Sequence, residues 1–325
     1  MSVRGYLLTA LAASFLSLAV APASAQPYPS SLVRIVVPFT AGGGLDAHAR
    51  LMAQKLAEDF QQPVIVENRA GGGGFVGTDF VAKAKPDGYT LLMTSNGHAI
   101  ARALYQKLPF DPIGDFAPIT QTIDSTLVLV VGPKVPATSL TDFVSLAKAK
   151  PGTLNYGSSG IADPLALTME LFKITAAIDV MHIPYRGQAQ SANGIMAGEV
   201  DVGVLSLSTN LPNVQAGNMR ALAVTGAARS AAAPNIPTVA ESGYPGFEST
   251  SWLGLFAPAG TPKDVVARIQ KAVAKVVTMP DVQERLKALG QEPVASTPEA
   301  FEAKLKADVA KFSMIAKRAK IPFQD

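Results

Sequence analysis

The chain of 325 residues contains no cysteine, one tryptophan and three histidines. Without cysteine there are no disulfides, no thiolate metal sites and no cysteine nucleophile. His48, His98 and His182 stand too far apart for the short ligand spacing of a zinc motif. Charged residues make up only 16%, with 28 basic against 25 acidic and neither sign clustered. That balance lacks the electrostatic footprint of a nucleic-acid binder. Beyond residue 25 no apolar run approaches the ~20 residues of a membrane-spanning helix. A hydrolase elbow, Gly-x-Ser-x-Gly, is also missing, because the nearest candidate reads Gly157-Ser158-Ser159-Gly160-Ile161. No triad, carboxylate pair or metal constellation is found, so neither an enzyme nor a cofactor is expected.

What is present begins with a leader. Arg4 precedes a mostly apolar run from Tyr6 to Val20, and Ala23-Ser24-Ala25 fits a small-x-small cleavage site. Residues 1–25 therefore read as a signal peptide cut before Gln26, with an uncleaved anchor as the alternative, and an exported protein is expected. An exported chain without disulfides must rest on its hydrophobic core, and about 300 residues can supply one.

The stretch IVVPFTAGGGLD (35–46) combines a short apolar strand, a glycine-rich turn and the start of a helix. Strands follow at 64–67 and 89–94, with a helix from Phe75 between them and the turn Lys85-Pro86-Asp87-Gly88 before the second. This β-α-β-α-β order implies a parallel sheet. Residues 109–118 read as a proline-rich surface passage. A second α/β unit starts at the strand 127–131. It alternates helices at 141–150, 164–174, 188–197 and 209–216 with strands at 154–157, 180–185, 200–205 and 222–225. A strand at 252–257 and three amphipathic helices, 262–278, 280–289 and 298–319, close the chain. Extended passages at 126–131 and 251–257 suggest that the chain leaves one domain, builds another and returns. The expected domains are 26–125 with 250–325, and 126–249, joined by two crossing strands around a cleft that closes on a ligand.

The glycine turn supports two chemistries. Gly42-x-Gly44-x-x-Ala47 matches a dinucleotide fingerprint, with Glu67 about twenty residues on as a ribose acid. Export and the missing acid–base set weigh against it. The alternative is an anion site, because the first N–H groups of a helix lack partners and its dipole is positive there. Asp46 either complements that dipole or closes the turn. Ser95 and Asn96 end a parallel strand, where open α/β sheets bind ligands. Gly71 to Gly74 reads as a loop needing positive φ. Ser158, Ser159 and Gly160 offer hydroxyls and N–H groups at another strand end. His182 reads as structural, and Trp252 suits core or cleft wall equally.

The motifs VPFTAGGGLDAHAR (37–50), QPVIVENRAGGGGFVGTDFVAKAKPDGYTLL (62–92), LPFDPIGDFAPI (108–119), KPGTLNYGSSG (150–160) and HIPYRG (182–187) run in order along the chain. So do MAGEVDV (196–202), AGNMRALAVT (216–225), PNIPTVAESGYPGFE (234–248) and WLGLFAPAGTP (252–262). This series resembles the periplasmic solute receptors of tripartite tricarboxylate transporters, the Bug family. The resemblance implies an α/β type II periplasmic binding fold, a small organic carboxylate as ligand and a two-component membrane permease as partner, with the receptor a monomer. A receptor that signals to a membrane sensor is the alternative. It implies ligand contacts at Phe39, Thr40, Gly42, Gly43 and Asp46, and at Ser158, Ser159 and Gly160, with weaker transfers to Tyr185, Gly187 and Asp201. One departure stands out. Where the family often carries a histidine-leucine pair after the Ser-Ser-Gly turn, this chain reads Ile161-Ala162-Asp163-Pro164-Leu165. Asp163 either faces the ligand, repelling di- and tricarboxylates, or caps the following helix.

Overall fold

The computed structural model describes residues 28–158, 160, 163–185, 187–288 and 291–324. The expected signal peptide and Ser159 lie outside the described residues, as do Arg186 and Leu289. The first unit runs β1 (Val33–Val37), α1 (Gly44–Phe60), β2 (Val64–Asn68), α2 (Phe75–Ala82), β3 (Thr90–Ser95), α3 (Gly97–Leu104) and β4 (Phe116–Ser125). The second runs β5 (Leu127–Val131), α4 (Leu140–Ala149), β6 (Asn155–Ser158), α5 (Pro164–Ala176), β7 (Met181–Pro184), α6 (Gln188–Ala197), β8 (Val202–Ser206), α7 (Leu207–Gln215) and β9 (Arg220–Val224). The chain then returns through β10 (Ser251–Pro258), α8 (Lys263–Val277), α9 (Pro280–Ala288), β11 (Gln291–Pro293) and α10 (Pro298–Arg318).

Two mixed sheets result. One has the order β11-β4-β10-β3-β1-β2, the other β7-β6-β8-β5-β9. The central strands of both are buried on both faces, and the period of two along each strand deals its side chains to opposite cores. Val33, Ile35 and Val37 enter the core beneath α1 and α8, whereas Val36 enters the one beneath α10. Leu127, Leu129 and Val131 point to one side of the second sheet, Val128 and Val130 to the other. A strand buried on both faces reads as a continuous apolar run, as in β5. Helix α8 places Val266, Ile269, Val273 and Val276 on one buried stripe. Helix α4 starts at a reciprocal Ser139–Asp142 capping box.

Three elements depart from the expected string. The surface passage ends at Phe116, where β4 begins, and its polar residues Thr120, Gln121 and Thr122 are buried rather than solvated. Ser296 satisfies two of them: its carbonyl accepts from Thr120 Oγ1 (2.8 Å) and its hydroxyl accepts the Gln121 N–H (2.9 Å). Helix α3 follows directly on Asn96, where only a strand end was expected. The short β11 pairs with β4. Trp252 is core: fully buried, edge-on to Phe301, with its indole N–H donating to Asp308 at 2.7 Å.

The chain passes between the sheets at Thr126 and again between Thr225 and Ser251. These passages are stitched together. Thr225 N–H donates to the Leu127 carbonyl (3.0 Å), Ser249 N–H to the Thr225 carbonyl (2.9 Å), and Thr250 Oγ1 to Asp124 (3.1 Å). Helix α5 also lies against α10, and its Leu167 is buried in the Trp252 core.

Candidate functional site

Strand direction decides which loops can meet. Strand β10 runs antiparallel to both β3 and β4, pairing Leu253 with Ser95 and Ser251 with Ser125. The C-terminal ends of β1, β2 and β3 therefore lie at the same end of their sheet as the crossing residues. In the second sheet Leu127 pairs with Ser206, and β6 runs parallel to β8. The C-terminal ends of β6, β7 and β8 thus also lie toward the crossing. The loops at Phe39–Gly43, Ser95–Asn96, Ser158–Gly160 and Tyr185–Gly187 all stand at these ends, the place where open α/β sheets take ligands.

The first loop is built by Asp46, whose side chain is buried. Its Oδ2 accepts the Gly42 N–H (2.9 Å) and Arg50 Nε (3.0 Å), and its Oδ1 accepts Asn68 Nδ2 (2.9 Å) and pairs with Arg50 Nη2 (3.0 Å). Asn68 also donates to the Phe39 carbonyl (3.1 Å) and accepts from Arg50 (2.9 Å). The Arg50 hydrogen bond, with those from Gly42 and Asn68, lowers the Asp46 carboxyl to about 2 against the opposing effect of burial. Gly42 sits at φ +92°, a region that favours glycine. Its N–H is already taken by Asp46, so Gly42 shapes the loop rather than offering a donor. Helix α1 then opens at Gly43 with no side-chain cap. The first intrahelical bond is donated by Ala47, and no acceptor meets the N–H groups of Gly43, Gly44 or Leu45 among the described residues. Phe39 is 40% exposed, and Thr40 is exposed beside it.

Ser95 Oγ accepts the Gly97 N–H (3.3 Å). Asn96 is buried and reaches the crossing, donating to the Thr250 carbonyl (3.4 Å) and accepting from Ser251 Oγ (3.3 Å). In the second loop the Ser158 hydroxyl is buried 2.7 Å from His182 Nε2 and accepts the Gly160 N–H at 3.2 Å. His182 stacks on Tyr156, whose hydroxyl donates to the buried Glu170 (2.6 Å), itself paired with Lys173 (2.8 Å). Burial holds the His182 imidazole below its usual range. Asp163 is the N-cap of α5, accepting the Leu165 N–H at 3.1 Å.

The remaining expected residues are placed differently. The Tyr185 hydroxyl is turned onto α6 and Glu199 (3.4 Å), with its ring crowding the Gly194 and Gly157 backbone. Gly187 is the uncapped N-cap of α6. Asp201 lies at the opposite, N-terminal end of β8, where its carboxylate accepts the Asn155 N–H (2.9 Å) and holds two strand starts together. Three groups were missed. Asn68 completes the first loop, His182 orients Ser158, and Ser206, Ser208 and Asn210 end β8 on the crossing side, joined by Ser206–Ser208 (3.0 Å) and Asn210–Ser206 (2.9 Å) contacts. The polar residues Ser206, Ser208, Thr209 and Asn210 directly after an apolar strand were the available signal. Glu67 is engaged by Arg34 (3.0 Å) and Arg69, which withdraws it from a ribose-binding role.

Comparison with known proteins agrees with this architecture. The description "Tripartite tricarboxylate transporter family receptor" matches residues 48–320. Protein BugT of Bordetella pertussis is 34% identical over 281 residues, 86% of this chain and 86% of that one. The solved structure of R. palustris Rpa4515 with adipate is 34% identical, with a TM-score of 0.76 over 91% of this chain and 99% of that one. MatC from Rhodopseudomonas palustris with bound malate is 30% identical, with a TM-score of 0.72 over 89% and 99%. With the two-sheet α/β fold and a match covering most of its length, the chain belongs to the Bug-type receptors of the tripartite tricarboxylate transporter family, solute-binding proteins rather than enzymes.

Proposed function

We propose that this protein is an extracytoplasmic receptor that takes a small organic carboxylate between the first loop and the Ser158–Gly160 loop. It then closes about the crossing passages and presents its load to a two-component membrane permease. In this reading the two sheets are two domains, 26–125 with 250–325 and 126–249, and residues 1–25 direct export to the periplasm. The observation that carries it is the open N-terminus of α1. Among the described residues its first N–H groups have no acceptor, and they stand at the C-terminal strand ends, where open α/β sheets take ligands. Relatives solved with adipate and malate support a carboxylate as the anion.

A thermal-shift screen over mono-, di- and tricarboxylates, aromatic acids and amino acids tests the reading. At a hundredfold excess over Kd, a ligand selective for the native state raises stability by ~2.7 kcal/mol. A transition moved by NAD and by none of the acids would overturn it.

A further inference from the structure

The strand orders leave a second gap between the two units, on the far side of the crossing from the ligand loops. In the first sheet β11 is the edge strand and β1 lies four strand spacings away, about 19 Å. In the second sheet β9 is the edge strand and β6 lies three spacings away, about 14 Å. A cavity of about 280 Å³ brings these two edges together. Ser230, Ala231 and Ala232, which follow β9, form one wall, and Gln283 and Lys287 of α9 with Gln291 of β11 form the other. Strands β4 and β5, which meet at the first crossing, each lie one place inward, between this cavity and the ligand loops.

Both walls are anchored in their own units. Arg229 Nε donates to Glu241 (2.8 and 3.1 Å) and Arg229 Nη1 to the Pro234 carbonyl (3.1 Å), while Glu241 accepts the Thr238 N–H (2.8 Å). Ala233 is buried in the core that holds Val128 and Val130. Opposite, Val282 and Leu286 seat α9 in the core beneath the first sheet, and β11 pairs with β4. A change in the gap is therefore transmitted to the angle between the units. When two bodies turn about a hinge, the gaps before and behind it change with opposite sign. Closing the ligand cleft widens the rear cavity, and opening the cleft compresses it. Bulk in the cavity opposes the open form, and a ligand that binds the closed form gains affinity as the closed fraction rises.

Resting on the proposed closing receptor, we infer that the rear cavity sets the balance between open and closed forms. Ala231 and Ala232, at the sheet edge farthest from the ligand loops, are then affinity-determining residues. Their small side chains give the walls room to approach and so permit the open form.

Small-angle X-ray scattering of the ligand-free protein tests this, with calorimetric titration of adipate and of malate as probes. Ala232→Trp adds bulk from one wall, and Gln283→Trp adds it from an exposed position on the other, so one variant carries the test if its counterpart folds poorly. Each should show a smaller radius of gyration than wild type and bind a probe acid at least fivefold more tightly. A folded variant with the wild-type radius, or with unchanged or weaker affinity for an acid that wild type binds, overturns the inference. The receptor reading still stands in that case if wild type contracts when the acid binds, and fails with it if wild type does not. Contracted variants in which no acid of the screen binds support the rear cavity and contradict the carboxylate reading alone.

Discussion

His48 Nε2 lies 2.9 Å from Thr122 Oγ1, and Thr122 in turn donates its hydroxyl proton to the Leu253 carbonyl at 3.0 Å. A hydroxyl has one proton, so Thr122 accepts from His48 and the imidazole carries its hydrogen on Nε2. Nδ1 is left buried without a donor among the described residues. Thr122 stands at an irregularity of the β4–β10 ladder, where Leu253 pairs with Ile123 but Gly254 pairs with Gln121. One contact therefore joins the helix that bears the first loop to both strands leading to the crossing.

Nε2 would donate to Thr122 in either protonation state, but a second proton on Nδ1 would be buried with no acceptor among the described residues, and a pH dependence follows. Burial holds His48 at about 4, and it holds His98 at about 4 beneath Phe110 and Phe116. The unfolded chain takes up these protons near 6.5 while the folded chain refuses them, so the unfolded state binds more protons between the two values. Stability is fully present above about pH 6.5 and falls toward pH 4, by on the order of a few kcal/mol for the two groups together. Urea unfolding at pH 7.5, 5.5 and 4.5 should show it. A flat profile would contradict the assignment.

Asp46 has the same sign in a lower pH window. Its depressed carboxyl contributes stability above its ordinary pKa of 3.8, lost only as the pH falls toward about 2. Asp46→Asn replaces one acceptor with an amide that faces the donors Gly42, Arg50 and Asn68. The expected cost is roughly 1–3 kcal/mol in stability, with at least a tenfold loss of ligand affinity as the loop loosens. Urea midpoints and ligand titration would measure the two effects separately.

Gly77 offers a probe from behind the loop. A Cβ there would lie 2.6 Å from the Arg69 carbonyl and 2.9 Å from Pro38 Cα, both backbone atoms that yield only if the first loop moves. Gly77→Ala should cost ~1–3 kcal/mol and weaken ligand binding in parallel. Wild-type stability by urea unfolding would show that the contact is relaxed without strain.

Much of this was readable from residue order. Apolar periodicity located β1, β5 and the stripe of α8 because each buries side chains at the period of its own element. Strand β4 stayed hidden because Thr120, Gln121 and Thr122 look solvated, and only partners at Ser296 and Leu253, far along the chain, make their burial tolerable. At the site, Arg50 lies one helical turn from Asp46 and was locally visible. Asn68, 22 positions away, became a neighbour only through the pairing of β1 with β2. Ser158 was found as a polar strand end, but its bond to His182 needed the β6–β7 register. Asp201 was misleading because a carboxylate beside a strand does not reveal which end of the sheet it occupies.

The central claim is that backbone N–H groups at the start of α1 hold the ligand carboxylate, and Gly44 tests it most directly. Gly43 is extended (φ −80°, ψ 170°), the conformation preferred before proline, and Gly44 is the first helical residue, where proline fits. No atom lies within 4 Å of a Cβ built on Gly44. Gly44→Pro should therefore fold with stability within about 1 kcal/mol of wild type while removing one N–H. Gly44→Ala adds a Cβ and keeps the donor. Calorimetric titration of the best carboxylate from the screen should show affinity at least tenfold lower for the proline variant and close to wild type for alanine, as expected for loss of one charge-assisted hydrogen bond. Equal affinity in the folded proline variant would contradict the account.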